Sequence, residues 1–174
     1  MNNTSKPIFL IGFMGCGKTT LGRGLAKSIG YDFIDLDRFI ENKNFKTIAQ
    51  IFENYGEAGF REKEGMALEE VCEYSNIVLA TGGGTPCFGR NMELMNDRGL
   101  TVFINISPQE LASRLIKSKT PRPLINGLNE KDILHFVNKK LDERRTFYEQ
   151  AQIAIEHNSP KVQMLIDAIN EQYN

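Results

Sequence analysis

Short apolar runs alternate along the chain with longer stretches in which apolar residues recur at helical spacing. Brief runs that are apolar on both faces are typical of strands buried inside a parallel sheet. We predict five such strands, at Ile8–Ile11, Phe33–Leu36, Ile77–Ala80, Val102–Ile106 and Ile153–Glu156. Strands that alternate with helices in this way predict an α/β protein built on a parallel sheet.

Helical stretches lie between the predicted strands. Leucine and isoleucine at spacing four predict a helix that begins at Lys18. Ser107-Pro108 predicts another helix start, because serine caps helices and proline suits the first helical position. Further helices are predicted at about 62–74, 130–150 and 161–173. Residues 37–61 also have a helical pattern, whereas residues 117–129 contain two prolines and a glycine and are predicted to form a loop.

The composition of the 174 residues is that of one globular domain, with 41% hydrophobic and 25% charged residues. The 21 basic and 22 acidic residues give a net charge of -1, which disfavours a nucleic-acid partner. No apolar run approaches the roughly 18 residues of a membrane span, and no signal-peptide pattern precedes the first strand. Cys16, Cys72 and Cys87 lack metal-ligand spacing and are expected to be free thiols. We therefore expect one cytoplasmic, monomeric domain over residues 1–174, without a membrane partner.

A phosphate-binding loop follows the first predicted strand. The segment Gly12–Thr19 reads GFMGCGKT and matches the pattern GxxxxGK[ST] at every specified position. Glycines allow successive N–H groups to surround a phosphate, where the start of the next helix adds a favourable dipole. Lys18 is expected to reach the β- and γ-phosphate oxygens, and the Thr19 hydroxyl is expected to bind Mg²⁺. The motif predicts a nucleoside triphosphate site formed by Gly12, Gly15, Cys16, Gly17, Lys18, Thr19 and Thr20.

Two carboxylates, Asp35 and Asp37, end the second predicted strand. If the strand extends that far, its period of two points both toward the ligand-binding edge of the sheet. One carboxylate could order Mg²⁺ through water, and the other could accept a proton from an acceptor hydroxyl. The alternative is that Asp37 only caps the helix that follows it.

Three consecutive glycines, Gly82-Gly83-Gly84, follow the third predicted strand. They would let a ligand approach main-chain N–H groups closely, although a flexible turn is the alternative interpretation. Candidate ligands for an anion are Arg61, Arg122, Arg144 and Arg145, because a guanidinium donates two parallel hydrogen bonds to a carboxylate or phosphate. Glu64 follows Arg61 by three residues and is expected to pair with it.

In order along the chain, these motifs resemble those of the shikimate kinase family. The match comprises GFMGCGKT at 12–19, FIDLD at 33–37, IF at 51–52, GE at 56–57, FR at 60–61, GGG at 82–84, RPL at 122–124 and Arg144 with Tyr148. The phosphate loop is common to many families, whereas the ordered set of the other motifs is far more specific. The resemblance implies a P-loop kinase fold, with a five-stranded parallel sheet in the order 2-3-1-4-5 in a three-layer sandwich.

The resemblance also implies a reaction, namely transfer of phosphate from ATP to the 3-hydroxyl of shikimate in aromatic amino-acid synthesis. Asp37 would hold the ring hydroxyls and accept the proton, while Arg61 and Arg144 would clamp the carboxylate. Lys18 and Arg122 would neutralise the moving phosphoryl group. The remaining implied roles are main-chain contacts to shikimate from Gly82 and Gly83, Mg²⁺ binding by Thr19 and Asp35, substrate binding by residues 37–61, and a lid at about 112–124.

The sequence departs from the family pattern at three places, one of which is a stretch after Tyr148 that is one residue shorter than usual and to which no function is assigned. Cys16 stands where serine is usual, and a thiol at a helix N-terminus is a candidate for alkylation. Arg144 is four residues before Tyr148, as the family pattern requires, but Arg145 beside it leaves the choice of clamp open.

Two alternative functions remain. The first is a kinase of another small anion, such as gluconate or a nucleotide, since such acceptors also need arginines. The second is a GTP-dependent switch, which should carry an Asn-Lys-x-Asp guanine motif. Residues 138–140 read Asn-Lys-Lys without the following aspartate and lie within a predicted helix, which disfavours a switch.

Overall fold

The computed structural model describes residues 6–118, 125 and 127–172. The strands are β1 (Ile8–Ile11), β2 (Asp32–Asp35), β3 (Ile77–Ala80), β4 (Leu100–Asn105) and β5 (Ile153–Glu156). The α-helices are α1 (Lys18–Ile29), α2 (Leu36–Asn44), α3 (Ile48–Val71), α4 (Asn91–Arg98), α5 (Pro108–Lys117), α6 (Glu130–Tyr148) and α7 (Val162–Gln172). A 3₁₀ turn spans Thr85–Cys87.

The strands form one parallel sheet in the order β2-β3-β1-β4-β5. This order confirms the α/β fold that the sequence predicted and the topology that the family resemblance implied. Every residue of the central strands β1 and β3 is buried, whereas alternate residues of the edge strand β5 are exposed. Central strands are covered on both faces by helices, which explains why their sequences are continuous apolar runs.

Helices pack on the sheet and against one another. Helix α1 contacts β1, β2 and β3 and packs against α7, whereas α4 contacts β4 and packs against α3. Leu21, Leu25 and Ala26 are the buried apolar residues of α1, which confirms the spacing-four pattern as its core face. Within the described ranges, no helix is both long and apolar enough to cross a membrane.

Local sequence signals explain several helix boundaries. Ser107 accepts a hydrogen bond from the Glu110 N–H and Pro108 occupies the first helical position, as predicted for α5. Helix α3 begins earlier than predicted, because Thr47 and Gln50 form a reciprocal capping box at its start.

Two features of the helices were not predicted. Gly56 has φ 66° and ψ -174°, which kinks α3 between Tyr55 and Glu57. Helix α4 follows the triglycine turn and was not predicted, since it has only eight residues and three buried positions.

The chain order in the sheet places the loops of interest together. β1 pairs with β3 on one side and with β4 on the other, so the direction of the crossovers reverses at β1. Ligands bind at such a switch point, beside the carboxyl ends of the strands. The phosphate loop follows β1, the aspartates follow β2 and the triglycine follows β3, so all three lie at one edge of the sheet.

Candidate active site

The phosphate loop has the backbone that its glycines predicted. Gly12, Gly15 and Gly17 have φ values of 141°, 84° and 100°, which residues with a side chain rarely adopt. A Cβ added to Gly12 would lie 2.8 Å from the Ile104 carbonyl oxygen, so the loop also needs glycine there for space. Gly17 directly precedes α1, and no side chain caps this helix. The first N–H groups of α1 therefore remain available to an anion.

Lys18 is folded back into the loop. Its Nζ donates to the carbonyl oxygens of Gly12 at 2.7 Å and Phe13 at 3.1 Å, and the side chain is 9% exposed. Cys16 Sγ lies 3.7 Å from Nζ and is buried. Burial of this thiol opposes the hypothesis that Cys16 is readily alkylated. Thr19 and Thr20 are both exposed at the start of α1.

Thr19 and Asp35 lie side by side, as a shared metal site requires. The Thr19 hydroxyl donates to Asp35 Oδ2 at 2.9 Å, which brings an alcohol and a carboxylate oxygen together. Asp35 Oδ1 also accepts from the Arg38 N–H at 3.4 Å and caps α2. The suggestion that Asp37 is the cap is therefore wrong. β2 ends at Asp35, so the period-two argument for Asp37 also fails, and Asp37 lies in the first turn of α2.

Asp37 has an unusual electrostatic environment. Burial, together with the nearby carboxylates of Asp35 and Glu64, raises the pKa of Asp37 to about 6, although Lys18 acts in the opposite direction. A Cβ added to Gly82 would lie 3.2 Å from Asp37 Oδ1 and 3.2 Å from Glu64 Oε1. The carboxylate thus lies against the triglycine turn. A carboxyl group with a pKa near 6 is a competent proton acceptor near neutral pH.

Arg61 is held by two carboxylates. Its Nη1 donates to Glu64 Oε2 at 2.8 Å, as predicted from the sequence, and its Nη2 lies 3.4 Å from Glu57 Oε1. Glu64 is only 1% exposed and also accepts from the Thr85 hydroxyl at 2.6 Å. The buried Nε of Arg61 has no hydrogen-bond partner among the residues that the structure describes. No pattern in the sequence indicates the bond between Glu64 and Thr85, which joins two distant segments.

The triglycine turn is packed too closely for side chains. A Cβ on Gly84 would lie 2.9 Å from Arg61 Nη2, and one on Gly83 would lie 3.4 Å from Arg144 Nη1. The same atom on Gly83 would lie 3.2 Å from the Met14 backbone nitrogen. The turn therefore lies against both arginines, and at Gly83 it also lies against the phosphate loop. This close approach opposes the interpretation of the glycines as merely a flexible turn.

Arg144 and Arg145 face different surroundings. The Arg144 guanidinium lies 5.5 Å from the centre of the Phe13 ring and beside Gly83, whereas Arg145 is exposed and pairs with Glu149 at 3.7 Å. Tyr148, one helical turn after Arg144, is fully buried and donates to the Gly83 carbonyl oxygen at 2.5 Å. Burial raises the pKa of the Tyr148 hydroxyl, which therefore keeps its proton for this bond.

The last of the predicted site residues, Arg122, comes after the end of α5 in the sequence. Arg122 and most of the loop around it are outside the described residues.

Arg114 was not predicted, yet it donates to the carbonyl oxygens of Gly15 at 3.5 Å, Cys16 at 3.4 Å and Asn158 at 2.6 Å. It thus fastens α5 to the phosphate loop. Its only sequence signal was the spacing of four from Glu110, which suggested no more than a helix-surface pair.

Comparisons with known proteins agree with this geometry. The family model for shikimate kinase matches residues 14–174. The curated shikimate kinase of Phocaeicola vulgatus is 43% identical over 171 residues, which cover 96% of this chain and 98% of the relative.

Two solved structures are similar over almost the whole chain. The 1.7 Å crystal structure of shikimate kinase from Bacteroides thetaiotaomicron has a TM-score of 0.90 at 41% identity and covers 97% of this chain and 98% of its own. Shikimate kinase from Acinetobacter baumannii, solved in complex with shikimate, has a TM-score of 0.82 at 38% identity and covers 98% and 93%.

Proposed function

The chain belongs to the shikimate kinase family, and from this premise we propose that it transfers the γ-phosphoryl group of ATP to the 3-hydroxyl of shikimate. The products are shikimate 3-phosphate and ADP. The observation that carries the proposal is the close packing around the triglycine turn, Gly82–Gly84. It brings a carboxylate with a raised pKa and two arginines next to a phosphate loop.

The acceptor side fits a small polyhydroxylated carboxylate. Arg61 and Arg144 both approach the triglycine turn, and a carboxylate is the group for which paired guanidinium donors are best suited. The contact of Arg61 with Glu57 is 3.4 Å long, and Glu57 is 62% exposed, so a substrate carboxylate can replace it at small cost. Residues 37–61 would then form the wall of the shikimate pocket.

Asp37 is proposed to accept the proton of the attacking hydroxyl. Its raised pKa means that the carboxylate binds a proton more strongly than an ordinary aspartate does, which suits a general base. It lies beside Gly82, on the same turn that contacts both arginines. A substrate whose carboxylate is held by the arginines would therefore present a ring hydroxyl toward Asp37 and the phosphate loop.

Lys18 is proposed to neutralise the charge of the phosphoryl group during transfer. It must first leave the carbonyl oxygens of Gly12 and Phe13, and a bound triphosphate offers stronger, charged acceptors. Arg122 stays a prediction for the same role, and residues 112–124 stay a predicted lid that excludes water.

Thr19 and Asp35 fit a magnesium ion, because hydroxyl and carboxylate oxygens are its preferred ligands. When bound there, Mg²⁺ would reduce the negative charge of the phosphates during transfer. Among the described residues, no group of three His, Cys, Asp or Glu side chains could hold a metal.

The test is an ADP-release assay with ATP and Mg²⁺, run with shikimate, gluconate, nucleoside monophosphates or no acceptor. We expect strong stimulation by shikimate alone. Stimulation by gluconate or a nucleotide instead would keep the kinase and overturn the acceptor. A preference for GTP with no stimulated acceptor would favour a nucleotide-dependent switch.

A further inference from the structure

The Arg61 guanidinium packs between two residues, Phe88 and Gly84, that belong to the same loop after β3. The Phe88 ring covers one face of the guanidinium, with 3.8 Å between its centroid and Arg61 Cζ. Gly84 approaches closely as well, since a Cβ there would lie within 3.3 Å of Nη1, Nη2 and Cζ. The Phe60 ring is more distant, at 5.0 Å, and stacks instead on Phe52 at 4.4 Å between centroids.

Hydrogen bonds alone do not fix the orientation of this guanidinium. The short bond to Glu64 holds Nη1, but the contact of Nη2 with the exposed Glu57 is weak. The buried Nε has no partner within the described part of the chain. With one strong bond, the planar group can still rotate about it. A ring against one face and a glycine close by restrict that rotation.

The Phe88 ring is itself held in place by its loop. The 3₁₀ turn Thr85–Cys87 is closed by the Cys87 N–H, which donates to the Gly84 carbonyl oxygen at 2.9 Å. Asn91 donates through its side chain to the Thr85 carbonyl oxygen at 2.9 Å and through its backbone to the Phe88 carbonyl oxygen at 3.2 Å. The aromatic wall is thus a fixed part of the triglycine loop, and Phe88 is half-buried.

We propose that Phe88 is a positioning residue for the acceptor: its ring holds the Arg61 guanidinium in the plane in which it binds the substrate carboxylate. This inference rests on the proposed function, in which Arg61 binds that carboxylate. Phe88 contacts the arginine through its π face, so the role requires an aromatic ring and not merely an apolar side chain. Because Phe88 would act through Arg61, which binds the acceptor, its loss should affect shikimate and not ATP.

The test compares steady-state kinetics of Phe88→Ala, Phe88→Leu and Phe88→Tyr. We expect the first two to raise the KM for shikimate by about 2- to 30-fold, the range that loss of a cation–π contact gives. Phe88→Tyr should stay within about twofold of wild type, and the KM for ATP should not change. Arg90→Ala is the matched control, because Arg90 is on the same loop, is exposed and pairs only with Glu93 in the described contacts.

A double-mutant cycle with Arg61→Ala decides whether Phe88 acts through Arg61. We expect Phe88→Ala to add nothing once Arg61 is gone. An equal additional effect in that background would overturn the inference. The inference is also overturned if Phe88→Ala and Phe88→Leu leave the KM for shikimate unchanged while Arg61→Ala raises it. That result would leave the proposed function intact. If Arg61→Ala also leaves this KM unchanged, the proposed carboxylate clamp fails as well. Should Phe88→Ala not fold, Phe88→Leu against Phe88→Tyr carries the comparison.

A binding measurement provides a second test. The chain has no tryptophan, so Phe88→Trp would place the variant's only indole, whose emission can be excited selectively over tyrosine, against Arg61. We expect its emission to change as shikimate is added without nucleotide, and expect no change when Arg61→Ala is also present. An emission change of the same size in the double variant would contradict the inference.

Discussion

The side of the site that binds the nucleotide and the side that binds the phosphoryl acceptor are formed by different kinds of groups. The nucleotide side is one continuous segment, Gly12–Thr19, whose function resides mainly in backbone N–H groups and in a helix N-terminus. The acceptor side brings together side chains from α2, α3 and α6 around the turn after β3. The first depends on glycine conformations, whereas the second depends on long charged side chains held by their neighbours.

This difference affects how each side should respond to substitution. In the phosphate loop the side chains of Lys18 and Thr19 are proposed to act directly, and their positions follow from the loop itself. On the acceptor side, the orientation of Arg61 depends on Glu64 and, as we propose, on Phe88, while Gly83 is held by Tyr148. The acceptor side should therefore be sensitive to residues that never contact the substrate.

The largest effect is expected where the two sides meet, at Asp37. Asp37→Asn should lower kcat by about 10²- to 10⁴-fold, because the amide cannot accept the hydroxyl proton. Kinetics with saturating ATP and shikimate measure this, and a thermal melt checks that the variant is folded. Near-normal turnover would show that Asp37 only positions the substrate.

A somewhat smaller loss is expected on the nucleotide side. Lys18→Met should reduce kcat by about 10²- to 10³-fold, since it removes a charge that stabilises the moving phosphoryl group. Lys27→Met, on the exposed face of the same helix, is the matched control and should stay within about twofold of wild type. Equal activity of the two variants would contradict the assigned role of Lys18.

The neighbouring arginines of α6 give a direct comparison on the acceptor side. Arg144→Ala should raise the KM for shikimate by about 10- to 150-fold, as expected for loss of 1.5–3 kcal/mol of charged hydrogen bonding. Arg145→Ala removes only an exposed pair with Glu149 and should have almost no effect. If Arg145→Ala has the larger effect, the clamp has been assigned to the wrong residue.

The pH dependence of activity tests the proton acceptor. With a pKa of about 6 for Asp37, kcat/KM should fall about tenfold between pH 7 and pH 5 as the carboxylate becomes protonated. The residual activity of Asp37→Asn should lack this decline. A profile that is flat to pH 5 in the wild type would rule out a base with this pKa.

The smallest expected effect is on the pH dependence of the free energy of unfolding. Between pH 4 and pH 6 the folded protein keeps a proton on Asp37 that the unfolded chain releases, since the pKa rises from 3.8 to about 6 on folding. The Asp37 contribution to the free energy of unfolding should therefore decrease as pH rises through this window. Urea titrations at pH 4.5 and pH 7 measure this for the wild type and for Asp37→Asn. From pH 4.5 to pH 7 the free energy of unfolding should fall less in the variant than in the wild type, or should rise. A variant that loses more stability on going to pH 7 would contradict the raised pKa.

Sequence alone determined those features that depend on neighbouring residues. Three strands match their predicted bounds. β1 and β3 are continuous apolar runs buried on both faces, whereas β5 alternates buried and exposed residues. The phosphate loop was predicted in full, since its chemistry needs a fixed spacing of glycines, lysine and threonine. The order of the strands, by contrast, came from a family resemblance and not from periodicity.

Tertiary structure decided what depends on distant residues. Only the folded chain shows that Asp35, and not Asp37, caps α2, that Arg144 and not Arg145 lies at Gly83, and that Phe88 covers Arg61. The raised pKa of Asp37 also arises from burial and from carboxylates brought near it by folding, which its sequence spacing does not reveal. The physical reason is range: turns and helix caps are set within a few residues, whereas burial and electrostatic fields are set by every segment that packs nearby.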